Sequence, residues 1–159
     1  MQQENDSILE FFKKVDIFSG LDDHALHELS NLFAEKNYKQ GDIIFQEESI
    51  GNTMMIIFGG EVRVSQTPNP EMEEALVVLK NGDFFGEMAV LEDLPRSATT
   101  IAHTDAVILE ISREHFWKFI ELDNKSGLKI VTKLARIISA RLREADKKLK
   151  AFTDLAKWI

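Results

Sequence analysis

The residues from Gly82 to Thr99 read Gly-Asp-Phe-Phe-Gly-Glu-Met-Ala-Val-Leu-Glu-Asp-Leu-Pro-Arg-Ser-Ala-Thr, and they hold the best candidates for chemistry in the chain. Gly82 and Gly86 open the stretch, an apolar turn of helix follows, and Pro95 ends that turn just before a single arginine among small residues. This layout suits an anion cradle. A glycine at 86 lets backbone approach a ligand closely, and the first N–H groups of the short helix carry partial positive charge. Arg96 offers a planar fork of donors matched to phosphate, and Ser97 and Ala98 leave room for it. Glu87, nine positions before Arg96, repels an anion by itself. Its presence makes sense if the same ligand also presents a hydroxyl, as a ribose does, because a carboxylate accepts from a hydroxyl donor.

Positioning these groups requires a scaffold, and the texture of the chain divides into three. Up to residue 37 the apolar residues Ile8, Leu9, Phe11 and Phe12, then Phe18, Leu21, Leu26, Leu29, Leu32 and Phe33, suit helices, with Asp22 and Asp23 where an N-cap belongs. From Tyr38 to Ile111 short apolar runs are separated by turn residues: Ile43 to Phe45, Met54 to Phe58, Val62 to Val64, Leu76 to Leu79, Thr99 to Ala102 and Val107 to Ile111. Gly41-Asp42, Gly51-Asn52, Gly59-Gly60, Pro68-Asn69-Pro70 and Asn81-Gly82-Asp83 supply the turns. Such spacing predicts a closed barrel or jelly roll. Helical periodicity returns over residues 113–159. From Lys125 onward Leu128, Val131, Ala135, Ile138, Leu142, Ala145, Leu149, Phe152, Ala156 and Ile159 keep a heptad stripe. The stripe outlasts what a small barrel covers at about 1.5 Å per residue, so its later half is expected to pair with a second copy of the chain.

The Gly86-Glu87 pair and the Arg96-Ser97-Ala98-Thr99 run resemble, in type and spacing, the phosphate-binding cassette of the cyclic nucleotide-binding domain family, which includes the catabolite activator protein and the regulatory subunits of protein kinase A. The likeness extends through Phe18-Ser19-Gly20-Leu21, residues 38–45, Gly51 and Gly60. It implies one α+β domain over residues 1–159: N-terminal helices (1–37), an eight-stranded β-barrel or jelly roll (38–111) carrying the cassette (82–99), and a long C-terminal helix (113–159). It further implies ligand contacts from Gly86, Glu87, Met88, Ala89, Arg96, Ser97, Ala98 and Thr99. Glu87 would accept the ribose 2′-hydroxyl and Arg96 would pair with the cyclic phosphate. Backbone N–H groups near Ala89 and Ala98 would complete the phosphate shell, and Ser97 would add a hydroxyl. Serine at position 97 points to cAMP, with cGMP left open, and Arg136, Phe152 or Trp158 are candidates to cap the base. Two positions depart from the family pattern: Glu48, where glycine is frequent, and Asn52, where aspartate is frequent. Both bear on the geometry of a loop. In the implied mechanism, Met88, Val90 and Leu91 shift against Phe116 and Phe119 when ligand arrives and so reposition the long helix.

Composition narrows the alternatives. The chain has 159 residues, 44% of them apolar and eleven of them Phe, enough for one core. It has no cysteine and therefore no disulfide frame or thiolate nucleophile. No apolar run is long enough to span a membrane and the start is acidic, so a cytoplasmic protein without membrane contact is expected. The formal charge of −8 argues against direct nucleic-acid binding, although residues 125–159 hold ten Lys or Arg against three acids. His24, His27, His103 and His115 are scattered and arrange no metal site, and neither a phosphate loop ending in Gly-Lys-Ser nor a Gly-x-Ser-x-Gly elbow occurs. The expectation is a non-catalytic cyclic-nucleotide sensor that dimerises through its last helix and acts on an effector protein not identified by the sequence. A sensor piece of a larger transcription regulator or channel, or a degenerate barrel serving only dimerisation, are the alternatives.

Overall fold

A computed structural model describes residues 2–65 and 75–156. The helix α1 (Gln2–Phe12), a single 3-10 turn (Asp16–Phe18) and α2 (Asp23–Ser30) lead into eight strands. These are β1 (Ala34–Tyr38), β2 (Ile43–Phe45), β3 (Thr53–Gly59), β4 (Val62–Ser65), β5 (Ala75–Leu79), β6 (Phe84–Phe85), β7 (Thr99–Ala102) and β8 (Ala106–Ser112). One helical turn, α3 (Met88–Leu91), stands between β6 and β7, and α4 (Arg113–Leu122) and α5 (Asn124–Ala156) close the chain. Side-chain caps mark three helix starts, the first at Asp22 as the sequence suggests. Asp22 Oδ1 accepts from Ala25 N at 2.9 Å, Ser112 Oγ from His115 N at 3.2 Å, and Asp123 Oδ1 from Ser126 N at 3.1 Å.

The strands form two four-stranded antiparallel sheets, β1-β8-β3-β6 and β2-β7-β4-β5. Their number, eight, is the one expected, but the hydrogen bonding does not run on from one sheet into the other as a strictly closed barrel requires. Two strands went unread in the sequence. β1 begins at Ala34, inside the stretch read as helical, because Ala-Glu-Lys-Asn-Tyr has no apolar alternation to announce it. It is held instead by its partner, from Ala34 opposite Glu110 to Tyr38 opposite Ala106, with Lys36 Nζ 2.6 Å from a Glu110 carboxylate oxygen. β6 has only two residues, too few for a period. The turn at Pro68-Asn69-Pro70 lies outside the described residues.

β3 explains how the layers stack. Successive side chains on a strand point to opposite faces. Met54 and Ile56 join the cluster beneath the helices, with Phe12, Phe18, Leu26, Leu109, Phe116 and Leu134. Met55 and Ile57 join the cluster between the sheets, with Val62, Phe85, Ala102 and Ile108. Both faces of this strand are therefore dry, which is why it reads as the unbroken run Met-Met-Ile-Ile-Phe.

The long helix packs by a face other than the heptad stripe. Ile130 and Leu134 are buried, and Ile137 and Ile138 are packed against the same core. Lys133 Nζ, 2.7 Å from Asp16 Oδ1, ties this half of α5 to the 3-10 turn. Leu128, Leu142 and Leu149 remain 68%, 61% and 66% exposed. Of the stripe's described side chains, only Ile138 takes part in the core, because the row that meets the sheet is offset from it around the helix.

Candidate functional site

A cavity of about 550 Å³ opens between the second sheet, the 82–99 segment and α5. Of the residues singled out by sequence, Gly86, Glu87, Met88, Ala89, Arg96, Ser97 and Ala98 all line it. Thr99 does not. Its hydroxyl accepts from Glu47 N at 3.0 Å, and the neighbouring Thr100 faces the cavity in its place, as alternation along β7 requires.

Arg96 is the centre of the site. Only 6% of it is exposed, and its guanidinium carbon lies 4.1 Å from the centre of the Phe45 ring. Nη1 donates to Thr53 O at 2.9 Å and to Gly86 O at 3.3 Å, and Nη2 donates to Thr53 Oγ1 at 3.0 Å. Its Nε is the one buried side-chain nitrogen or oxygen among the described residues with no hydrogen-bond partner. Among those residues no carboxylate comes within ion-pair distance of this group. Burial lowers its pKa from the ordinary arginine value, opposed by the more distant charges of Glu110 and Glu87. A guanidinium stays protonated under these conditions, so the wall carries a positive charge taken largely out of water.

Two glycines make the slot for that group. A Cβ on Gly51 would sit 2.4 Å from Arg96 Nε and one on Gly86 2.6 Å from Nη1, distances no side chain tolerates. Gly86 also has φ +71, in the left-handed region. The loop on the Gly51 side is clamped to the arginine's own backbone: Glu48 N donates to Arg96 O at 2.8 Å and Arg96 N to Ser49 O at 2.9 Å. Glu48 itself has φ +61, the only non-glycine residue in the left-handed region among those described. The position where the resembling family often has glycine thus keeps a glycine-like backbone with another side chain on it.

Around α3 the backbone is largely self-bonded. Ala89 N donates to Gly86 O at 3.1 Å, Val90 N to Glu87 O at 3.2 Å and Glu92 N to Met88 O at 2.9 Å. Ser97 Oγ lies 3.7 Å from Met88 Sδ.

The residue that sequence reading missed is Arg141. Its Nη1 is 3.0 Å from Glu87 Oε1, its Nη2 donates to Phe84 O at 2.9 Å, and its guanidinium lies 4.6 Å over the Phe84 ring. Glu144, Ala145 and Lys148 of α5 complete that side of the cavity. A usable signal existed: Arg141 stands seven residues after Leu134 and four after Ile137, on the packing row rather than on the leucine stripe. Of the proposed base caps, Arg136 is exposed and is not among the residues lining the cavity, and the side chains of Phe152 and Trp158 lie outside the described residues.

A buried arginine and a carboxylate line one cavity, walled by a two-sheet sandwich and a long helix, the architecture of a small ligand-binding domain. The chain belongs to the cyclic nucleotide-binding domain family, whose model matches residues 35–123. It is 32% identical over 134 residues to a cyclic AMP receptor protein of Thermus thermophilus, covering 84% of this chain and 60% of that one. It is 38% identical over 114 residues to a cGMP-dependent protein kinase of Drosophila melanogaster, covering 70% of this chain and 12% of the kinase. In structure it superimposes on the Thermus thermophilus catabolite activator protein with a TM-score of 0.77 at 30% identity, covering 87% of this chain and 63% of that one. The chain therefore spans less than two thirds of the length of these relatives. Among the described residues no helix is long and apolar enough to cross a membrane, and no group of three or more metal-ligating side chains occurs.

Proposed function

We propose that this protein is a non-catalytic cyclic-nucleotide sensor that binds cAMP in the cavity beneath α5. One observation carries the reading: the guanidinium of Arg96, buried and without a carboxylate partner among the described residues, faces a cavity that Glu87 also lines. An anion entering there gains charge-assisted hydrogen bonds in a poorly solvated site, where they are strongest. A ribose hydroxyl on the same molecule donates to Glu87, so a cyclic phosphate fused to a ribose engages both groups at once. Ser97 at the rim favours cAMP over cGMP in this reading.

The ligand is coupled to α5 through the same carboxylate. Arg141 already holds one oxygen of Glu87, so a bound ribose and the long helix meet on one side chain. Binding shifts the helix only as far as the nucleotide prefers one helix position over another. Leu128, Leu142 and Leu149 form an exposed row at intervals of multiples of seven, suited to a second copy of the chain in a parallel or antiparallel coil. In this reading the module is a cytoplasmic homodimer that signals to an effector protein and makes no direct contact with membrane or nucleic acid.

Calorimetric titration with cAMP and with cGMP tests the proposal. Saturable binding of one nucleotide per chain, tighter for cAMP and abolished by Arg96→Ala, is the expected result. No heat with either nucleotide would overturn it, and tighter cGMP binding would overturn the choice of base.

A further inference from the structure

We propose that Arg113 and Trp117 are positioning residues of the nucleotide pocket: a polar clasp from α4 that keeps residues 86–96 ordered before a ligand arrives. The inference rests on the functional reading above. It starts from a difficulty in the local structure. α3 is a single turn of four residues, and a turn of that length does not persist alone, because its nucleation cost is not repaid by further hydrogen bonds. Its closing carbonyls also lack a next turn to donate to them.

Two side chains one turn apart on α4 supply the donors. Arg113 Nε donates to Ala89 O at 2.8 Å, its Nη2 to Glu92 O, and Trp117 Nε1 to Val90 O at 2.7 Å. Arg113 Nη1 adds a contact to Asp93 Oδ1 at 3.0 Å, but that carboxylate is almost fully in water and contributes little. The backbone of Arg113 reaches the other way: its N–H donates to Asn52 O at 2.7 Å. Asn52 follows Gly51, and α3 follows Gly86, the two glycines that bound the Arg96 slot. A single residue therefore ties together both walls of the slot in which the phosphate-binding guanidinium lies.

Ordering a segment before binding removes that entropy cost from the binding step and raises affinity. Loss of the clasp leaves the 86–96 segment for the ligand to order. The test is hydrogen exchange on the unliganded protein, followed by calorimetric titration with cAMP, for wild type, Trp117→Phe, Arg113→Lys and Arg113→Ala. Trp117→Phe keeps an aromatic ring beside Phe116 and removes the N–H donor with the smaller part of the indole. It is expected to speed exchange in residues 86–96, to leave 106–112 protected, and to weaken cAMP about fivefold, the effect of one net hydrogen bond. Arg113→Ala is expected to weaken cAMP by about tenfold or more, and Arg113→Lys by an intermediate factor, since an ammonium cannot reproduce the guanidinium fork that reaches the Ala89 and Glu92 carbonyls. If Arg113→Ala also loses protection at 106–112, Trp117→Phe decides. Unchanged exchange at 86–96 in Trp117→Phe overturns the clasp, as does faster exchange with unchanged affinity. A wild type that binds neither cAMP nor cGMP defeats the functional reading instead, and the exchange comparison, which needs no nucleotide, separates the two failures.

Discussion

Arg141 of the long helix and Glu87 of the cassette form an ion pair at 3.0 Å, with the carboxylate 12% and the guanidinium 41% exposed. The pair spans 54 residues of sequence and ties the element expected to move to the element expected to bind. Because Arg141 is partly solvated, the pair itself contributes on the order of 0.5–1 kcal/mol. A double-mutant cycle with Arg141→Ala and Glu87→Gln is expected to return a coupling of about that size in unfolding experiments. Arg141→Ala alone is expected to hasten limited proteolysis of α5 beyond residue 141 in the unliganded protein. Additive single mutants with an unchanged cleavage pattern would show that the pair does not hold the helix.

Arg96→Ala removes the charge-assisted bonds proposed between the guanidinium and a cyclic phosphate. At roughly 1.5–3 kcal/mol for each such bond, nucleotide affinity is expected to fall by at least about tenfold. Arg96→Lys is expected to restore little, because an ammonium cannot reproduce the fork that now reaches Thr53 and Gly86. Calorimetry reads both, and wild-type affinity in either variant would remove Arg96 from the site.

Gly51→Ala places a methyl group 2.4 Å from Arg96 Nε. The guanidinium must leave its slot or the 46–51 loop must move, so affinity is expected to drop by about tenfold while the chain stays folded, since core overpacking of this kind costs about 1–3 kcal/mol. Circular dichroism with calorimetry separates the two effects. Gly86→Ala adds backbone strain at φ +71 and is expected to lower the melting temperature as well.

Glu48→Gly tests the strained loop. Relief of the left-handed backbone at φ +61 contributes about 1–2 kcal/mol, and the greater freedom of glycine in the unfolded chain returns about 0.4–1 kcal/mol. A net gain of roughly 0.5 kcal/mol is expected, read as a small rise in melting temperature. A clear fall would mean that the Glu48 side chain contributes more than its backbone costs.

Leu142→Asp with Leu149→Asp is expected to convert a dimer into a monomer on a sizing column, because both residues are exposed on the outer row of α5. Monomeric wild type would retire the dimer.

The cavity-lining residues of the 82–99 segment were legible because they stand close together in sequence. Gly86, Glu87 and Arg96 need particular residue types at particular steps, and the cavity brings them together. Other strands were legible because their apolar runs are bounded by turns, as at Ile43–Phe45 and Thr99–Ala102. β1 was not, because its five residues are mostly exposed and its conformation is imposed by pairing with β8. Arg141 was not, because its role depends on which row of α5 meets the sheet. Two apolar rows run along that helix, and periodicity gives the spacing of a row without saying which one faces inward. The leucine row is the more regular in sequence, yet burial selects Ile130 and Leu134.

The double burial of β3 bears on how this molecule can change over time. Met55 and Ile57 share a cluster with Phe85, which forms part of the cavity wall, while Met54 and Ile56 on the reverse side seat the helices. The strand is a party wall between two tightly filled rooms, and interiors packed to crystal density pass a misfit along rather than absorb it. A substitution at Phe85 that reshapes the cavity is therefore felt through this wall by the tenants behind it, and drift toward a new ligand must renovate both sides together.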